Sequence, residues 1–498
     1  MINLNQSKSG YIFALCFFLA YLAASLIFYP SVLLNGRIWG EEARDFLIPI
    51  ASAAKSPLHA ILYLHKAHLD LFPNIATSLS LMLPVKYTPY IYSWTALIPV
   101  AIFSSCFGYT VSRTTDIHSR SKGWYSLLGW ICAVGFLASC GIIGIESHLN
   151  TINSWSFIVA SVALLIPLNQ SSSTSKIASI LVSVSPILAF PCVLFSPWLL
   201  AQFLASNSRK IKIQNICFFA SCIIQVILPK LVPSGWIFGD GRCFEARDII
   251  SILPTLIIKN FSPLVGNIHA FKPISGSIIS SHFSLYAITI SSIIAIALCA
   301  IYNRKAVTIY NFKRLFRLDS TFSVAEIVTG LMPPIIIWQI FAIASVLAGA
   351  YGQLMMGGGY RYSNSLYLVF LTITSILFAS SIKTTRQDLS EKKKELQVNK
   401  DKKLTNKSSQ TKLVLITWLS IMIIVTLHEQ DARFNQSDFW CFTSRPNWPY
   451  RDHNEFKQAL KTPSLILTCP IGWSNETLSQ KPKSKQDKIN FCRTDYST

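Results

Sequence analysis

The stretch Y-I-F-A-L-C-F-F-L-A-Y-L-A-A-S-L-I-F-Y-P-S-V-L-L, Tyr11 to Leu34, runs 24 residues without a charge. A helix rises about 1.5 Å per residue, so about 20 apolar residues cross a bilayer core. The run is too long for a signal-peptide core, and no small-x-small cleavage site follows it, so it reads as a retained first span. Similar uncharged runs recur at Thr88–Val111, Trp124–Ile145, Ile152–Leu168, Ile213–Pro229, Phe283–Tyr302, Ile327–Ala350, Ser363–Ile382 and Leu413–Leu427. The composition agrees: of 498 residues 51% are hydrophobic and 13% charged, with mean hydropathy +0.42. Ordinary soluble domains carry about a quarter charged residues. Disorder is excluded and a soluble multi-domain enzyme disfavoured; the expected class is an all-α polytopic membrane protein.

One run is ambiguous. Ile177–Leu204 has 28 uncharged residues and holds Pro186, Pro191 and Pro197. It reads as one kinked span or as a hairpin of two short helices, because proline interrupts a helix. Lys and Arg gather in cytoplasmic loops, which separates the two. With a hairpin, segments 1–10, 112–123, 169–176, 205–212, 303–326 and 383–412 share a side and hold 23 basic against seven acidic residues. A single span would send the Lys-rich 383–412 loop outward. The expectation is therefore about eleven spans, an inner N-terminus and an outer C-terminus. The net charge of +21 is then explained by topology and calls for no nucleic acid. Lys392–Lys407 reads as a solvated linker near anionic lipid.

The organisation expected is a multi-span domain over 1–427 and an extracytoplasmic segment over 428–498. Outer loop 35–87 carries W-G-E-E-A-R-D-F (Trp39–Phe46) and Y-L-H-K-A-H-L-D-L-F-P-N (Tyr63–Asn74), with helical, rather apolar stretches at Ala43–Ala54 and Leu69–Leu83 lying along the membrane surface. Outer loop 230–282 carries F-G-D-G-R-C-F-E-A-R-D (Phe238–Asp248). The tail is rich in Trp and Pro, with a strand-like run in Pro463–Trp473, and suits a small α/β or irregular cap. Among twelve scattered cysteines, Cys441, Cys469 and Cys492 fall in this tail, where an oxidising compartment permits a disulfide whose pairing spacing does not fix.

Chemistry concentrates on the outer face. Glu41, Glu42 and Asp45 are three carboxylates within five residues, and on a helix Glu41 and Asp45 share a face. Like charges at a membrane surface need a cation, a divalent metal or a substrate beside them; the plain alternative is a helix start that favours acids. His65 and His68, three apart beside Tyr63, suit phosphate or metal binding, or simple interfacial anchoring. G-G-G-Y-R-Y-S-N (Gly357–Asn364) lets backbone approach a ligand, and Arg361 beside Tyr360 suits a phosphate; a flexible turn with a snorkelling Arg fits the same residues. Arg242 is a further candidate of this kind. No P-loop, G-x-G-x-x-G, H-E-x-x-H or G-x-S-x-G stands in a suitable context, and no inverted repeat is visible.

The W-x-E-E stretch after the first span, the Tyr63–Pro73 loop and the late R-Y pair resemble bacterial polytopic membrane glycosyltransferases of the GT-C superfamily. That resemblance implies an inverting transferase of the bacterial inner membrane, serving cell-envelope polysaccharide biosynthesis. It would take a sugar from a polyprenyl-phosphate donor to a glycan or lipid acceptor on the outer face. Base or metal-ligand duty would fall on Glu41 or Glu42 with Asp45 nearby, and Mg or Mn is the possible metal. Arg361 would contact phosphate, with His65, His68, Tyr63, Tyr360 and Arg242 around the lipid-linked sugar. The competing expectations are a flippase or transporter of lipid-linked glycan, which needs polar residues such as Gln225 and Asn153 along a path, and an O-antigen-type polymerase or ligase.

Overall fold

The computed structural model describes residues 4–53, 56–65, 68–114, 149–168, 176–206 and 208–231, with isolated positions between 365 and 372 and between 450 and 458. The expected spans Trp124–Ile145, Phe283–Tyr302, Ile327–Ala350 and Leu413–Leu427 lie outside the described residues. So do the loops at 232–282 and 383–412, and Cys441, Cys469 and Cys492.

Proline sets the first break. Helix α1 (Leu4–Phe28) ends at Tyr29 because Pro30 disfavours a helical residue before it, and Pro30 then opens α2 (Pro30–Leu34). After the loop 35–87 the chain continues through α3 (Thr88–Thr95) and α4 (Leu97–Thr114), with a turn at Ala96 inside what the sequence reads as one span. α1 packs along α4. Gly10 and Gly108 bring the two backbones together: a Cβ on Gly108 would stand 2.5 Å from the Gly10 carbonyl oxygen. Beyond that contact the aromatics interlock, with ring centres 4.8 Å apart for Phe13 and Phe107 and 5.6 Å for Phe17 and Phe103.

Helix α5 (Trp155–Leu168) lies at the centre, buried from Ser156 to Leu168. Its 14 residues rise about 21 Å, short of a bilayer core. The first residues of the expected span Ile152–Leu168 are instead a polar turn.

The proline-rich run is broken. α6 (Lys176–Leu188) gives way to a tight turn at Phe190–Phe195 and then to α7 (Ser196–Ala205), the two arms bent by 120°. The second arm therefore runs partly back toward the side from which the first came. Pro186 has no N–H for the Val182 carbonyl, and the Ser185 hydroxyl donates to it at 2.9 Å. Both arms pack on α8 (Arg209–Leu231).

Among the described residues three helices are long and apolar enough to cross a membrane, in the windows Gly10–Ile27, Val85–Arg113 and Arg209–Leu228, or four if the bent pair counts as one span. Leu15, Leu19 and Ile27 on α1 and Ile213, Ile216 and Ile223 on α8 are exposed. Large apolar side chains on the outside of a bundle suit contact with lipid. The described part is thus helical, as the sequence predicts, apart from one two-stranded hairpin in the loop 35–87.

Candidate functional site in the first outer loop

The site grows from Gly36–Phe46. Gly36 has φ +68°, and a Cβ there would stand 2.4 Å from the Tyr90 nitrogen, so only glycine fits. This turn lets the Arg37 N–H reach the Pro89 carbonyl and the Ser93 hydroxyl. Trp39 is extended and precedes the helical turn Gly40–Glu42. Ala43–Leu47 follows as a π-helical turn, a wide turn recurrent at functional sites.

Glu42 is fully buried. Its Oε2 accepts from the Trp39 N–H at 2.9 Å, and its Oε1 from the Thr151 N–H and hydroxyl, each at 2.7 Å. Thr151 sits in a buried polar turn before α5, where Asn150 Oδ1 accepts from the Ile152 and Asn153 N–H groups. Leu149 opens that turn with φ +50°, an unfavourable conformation for a side chain of its size. Burial pushes the Glu42 carboxyl up to about 7, against its hydrogen bonds and the charge of Arg37. Arg37 is buried too, its guanidinium carbon 4.0 Å from the centre of the Trp39 ring, and burial brings it down to about 9, so it remains a cation at neutral pH.

Asp45 projects from the π-turn and is 3% exposed. Arg44 grips it with two bonds, Nε to Oδ1 at 2.6 Å and Nη2 to Oδ2 at 2.9 Å, and His65 Nε2 stands 3.9 Å from Oδ2. His65 lies on β1 (Leu64–His65), opposite His68 on β2 (His68–Leu69). Spacing of three thus makes a cross-strand pair, with ring centres 6.1 Å apart. His68 Nε2 is 3.2 Å from Asp70, and its ring stacks on Phe190, 4.8 Å away at the bend between α6 and α7. Tyr63 and Phe46 pack beside His65, and burial with the Asp45 charge pushes the Tyr63 hydroxyl above its ordinary value.

Two side chains hold this hairpin. Asn74 Nδ2 donates to the Ile61 and Tyr63 carbonyls at 3.0 and 2.7 Å. Gln225 on α8 meets both backbone groups of Leu69 and donates to the Pro186 carbonyl at 2.8 Å. The expected surface helix begins two residues late, at Leu71–Met82, because Leu69 belongs to the strand.

Of the residues expected at the site, Glu42, Asp45, Tyr63, His65 and His68 gather in this loop, with Glu41 half-buried among them. Arg361, Tyr360 and Arg242 lie outside the described residues. Both Glu42 oxygens already accept from protein donors, and among the described residues no group of three His, Cys, Asp or Glu side chains is placed to hold a metal ion. The sequence reading missed Arg37 and Thr151. A lone charge next to Gly36 and Trp39 was the available signal for Arg37; Thr151, 109 residues from Glu42, gave none. No family model, curated protein or solved structure matches the chain.

Proposed function

We propose that the chain is an inner-membrane glycosyltransferase that moves a sugar from a polyprenyl-phosphate donor to a cell-surface glycan or lipid acceptor on the outer face. The topology that goes with this reading is about eleven spans, a cytoplasmic N-terminus and a periplasmic C-terminus. The observation that carries it is the Asp45–His65 pair on the π-turn and hairpin, faced at 6.1 Å by the His68–Asp70 pair. The His65 imidazole, 3.9 Å from the Arg44-bound Asp45 carboxylate, is the group of this couple suited to taking a proton. The acceptor hydroxyl gives its proton to this couple as its oxygen attacks the anomeric carbon. The bond from that carbon to the phosphate oxygen breaks, and the lipid phosphate leaves with the electron pair. A single displacement inverts the anomeric centre. His68, steadied by Asp70 and Phe190, offers the phosphate an imidazole N–H. Glu42 is the buried post that fixes the π-turn, and the proton-accepting role moves from it to Asp45 and His65.

A flippase reading gains less from the same residues, because Gln225, Gln202 and Asn215 are engaged by backbone carbonyls and tie helices together. The test is complementation of a strain lacking this chain. Asp45→Asn and His65→Ala should each leave the envelope glycan unmodified by mass, with normal protein in the membrane. Wild-type glycan from both variants would reject the proposal. Shorter polymers in the deletion strain would mark a polymerase instead.

A further inference from the structure

The chain's far end meets this loop. Tyr450 and Phe456 are 7% and 4% exposed and are buried in one apolar cluster with Ile38, Ala43, Leu47, Ile48, Val85 and Tyr92. Their rings pack against each other at 5.4 Å. Asp452 starts the helical turn between them, its Oδ1 accepting from the Asn454 and Glu455 N–H groups at 2.7 and 3.0 Å. Ala43 and Leu47 bound the π-turn that presents Asp45, whereas Phe46 of the same turn packs on Ile50, Ala60 and Tyr63 in a second cluster. The π-turn is therefore held between two apolar beds, and one of them is completed by the C-terminal segment.

We propose that the segment around Tyr450–Phe456 is a brace of the first outer loop, a set of positioning residues for Asp45 that works from the same face of the membrane. A π-turn is a locally costly conformation that neighbours must over-determine. Removing the bed under Ala43 and Leu47 frees it to relax and shifts Asp45 relative to His65.

The contact also fixes a parity. Two segments that touch outside the bilayer lie on one side, so the chain crosses an even number of times between Tyr87 and Tyr450. Outside the bent pair, the sequence supplies eight uncharged runs in that interval. If all eight cross, as the sequence reading has them, the bent pair contributes an even number, with residues 176 and 205 on one face. Its 120° bend agrees with that.

Two experiments test the brace. Lys86→Cys and Glu455→Cys, both at exposed positions, are treated with a membrane-impermeant maleimide in intact spheroplasts, with Ser208→Cys as the opposite-face reference, and labelled peptides are read by mass. Lys86→Cys and Glu455→Cys should label together, and Ser208→Cys only after permeabilisation. Labelling of one without the other overturns the shared face, and labelling of Ser208→Cys together with them overturns the even count assigned to the bent pair. The second experiment rests on the sugar-transfer reading: Phe456→Ala should lower turnover by about tenfold or more with the donor KM unchanged, and Phe456→Leu should restore it. Wild-type turnover in Phe456→Ala, or a loss carried by KM alone, overturns the positioning role. If the wild-type chain transfers no sugar, the function fails while the labelling still judges the brace.

Discussion

Glu42 is a carboxyl whose environment favours its proton. Burial raises it to about 7, so between the unfolded value near 4.5 and about 7 the folded chain holds a proton that the unfolded chain releases. Stability is highest below that window and falls as pH rises through it, by about 3 kcal/mol in total. Arg37 acts with the opposite slope but only above about 9, beyond this window. Glu42→Gln should therefore flatten the pH dependence: thermal unfolding at pH 5 and pH 7.5 should differ for the wild type and coincide for the variant. A wild-type chain equally stable at both values would refute the assignment. Three neighbouring carboxylates were legible in the sequence as a cluster, but not their division of labour. Which of them is sealed depends on the Thr151 turn from a distant part of the chain.

At the scale of elements, α1 and α4 meet backbone to backbone at Gly108, whereas a Cβ on Gly10 would first meet the movable Ser112 hydroxyl at 2.9 Å. Gly108→Ala should thus cost about 1–3 kcal/mol and Gly10→Ala less, as read by thermal unfolding in detergent; equal costs would contradict the packing described. Gln225 joins α8 to the hairpin and to the carbonyl of Pro186, so Gln225→Leu leaves buried backbone groups at Leu69 and Pro186 without that amide, at about 1–3 kcal/mol each. Hydrogen exchange at Leu69 should speed up while the α1–α4 contact keeps its protection. Uncharged length was enough to find α1, α4 and α8 from sequence, and the prolines enough to question Ile177–Leu204. The hairpin escaped because strands of two residues carry no periodicity; the break at Ala96 had a signal in Pro99, which has no N–H for the Thr95 carbonyl.

For the whole molecule, the contacts among the described helices gather at two places along the bundle. Phe190 at the bend touches His68 in the first outer loop, Gln225 near the end of α8 touches Leu69, and the turn before α5 touches Glu42. Gly10 of α1 meets the Gly108–Ser112 end of α4 far along the chain from that loop. The packing of Tyr450 and Phe456 onto the loop was beyond the sequence, because no pattern links them. The proposed reaction is tested most directly by following label from lipid to glycan. Membranes whose polyprenyl-phosphate sugars carry radiolabel should pass it from the organic-soluble lipid fraction to the glycan fraction with the wild-type chain. They should retain it in the lipid with Asp45→Asn. Equal transfer by Asp45→Asn, or passage of intact labelled lipid across the bilayer without cleavage, would contradict sugar transfer at this site.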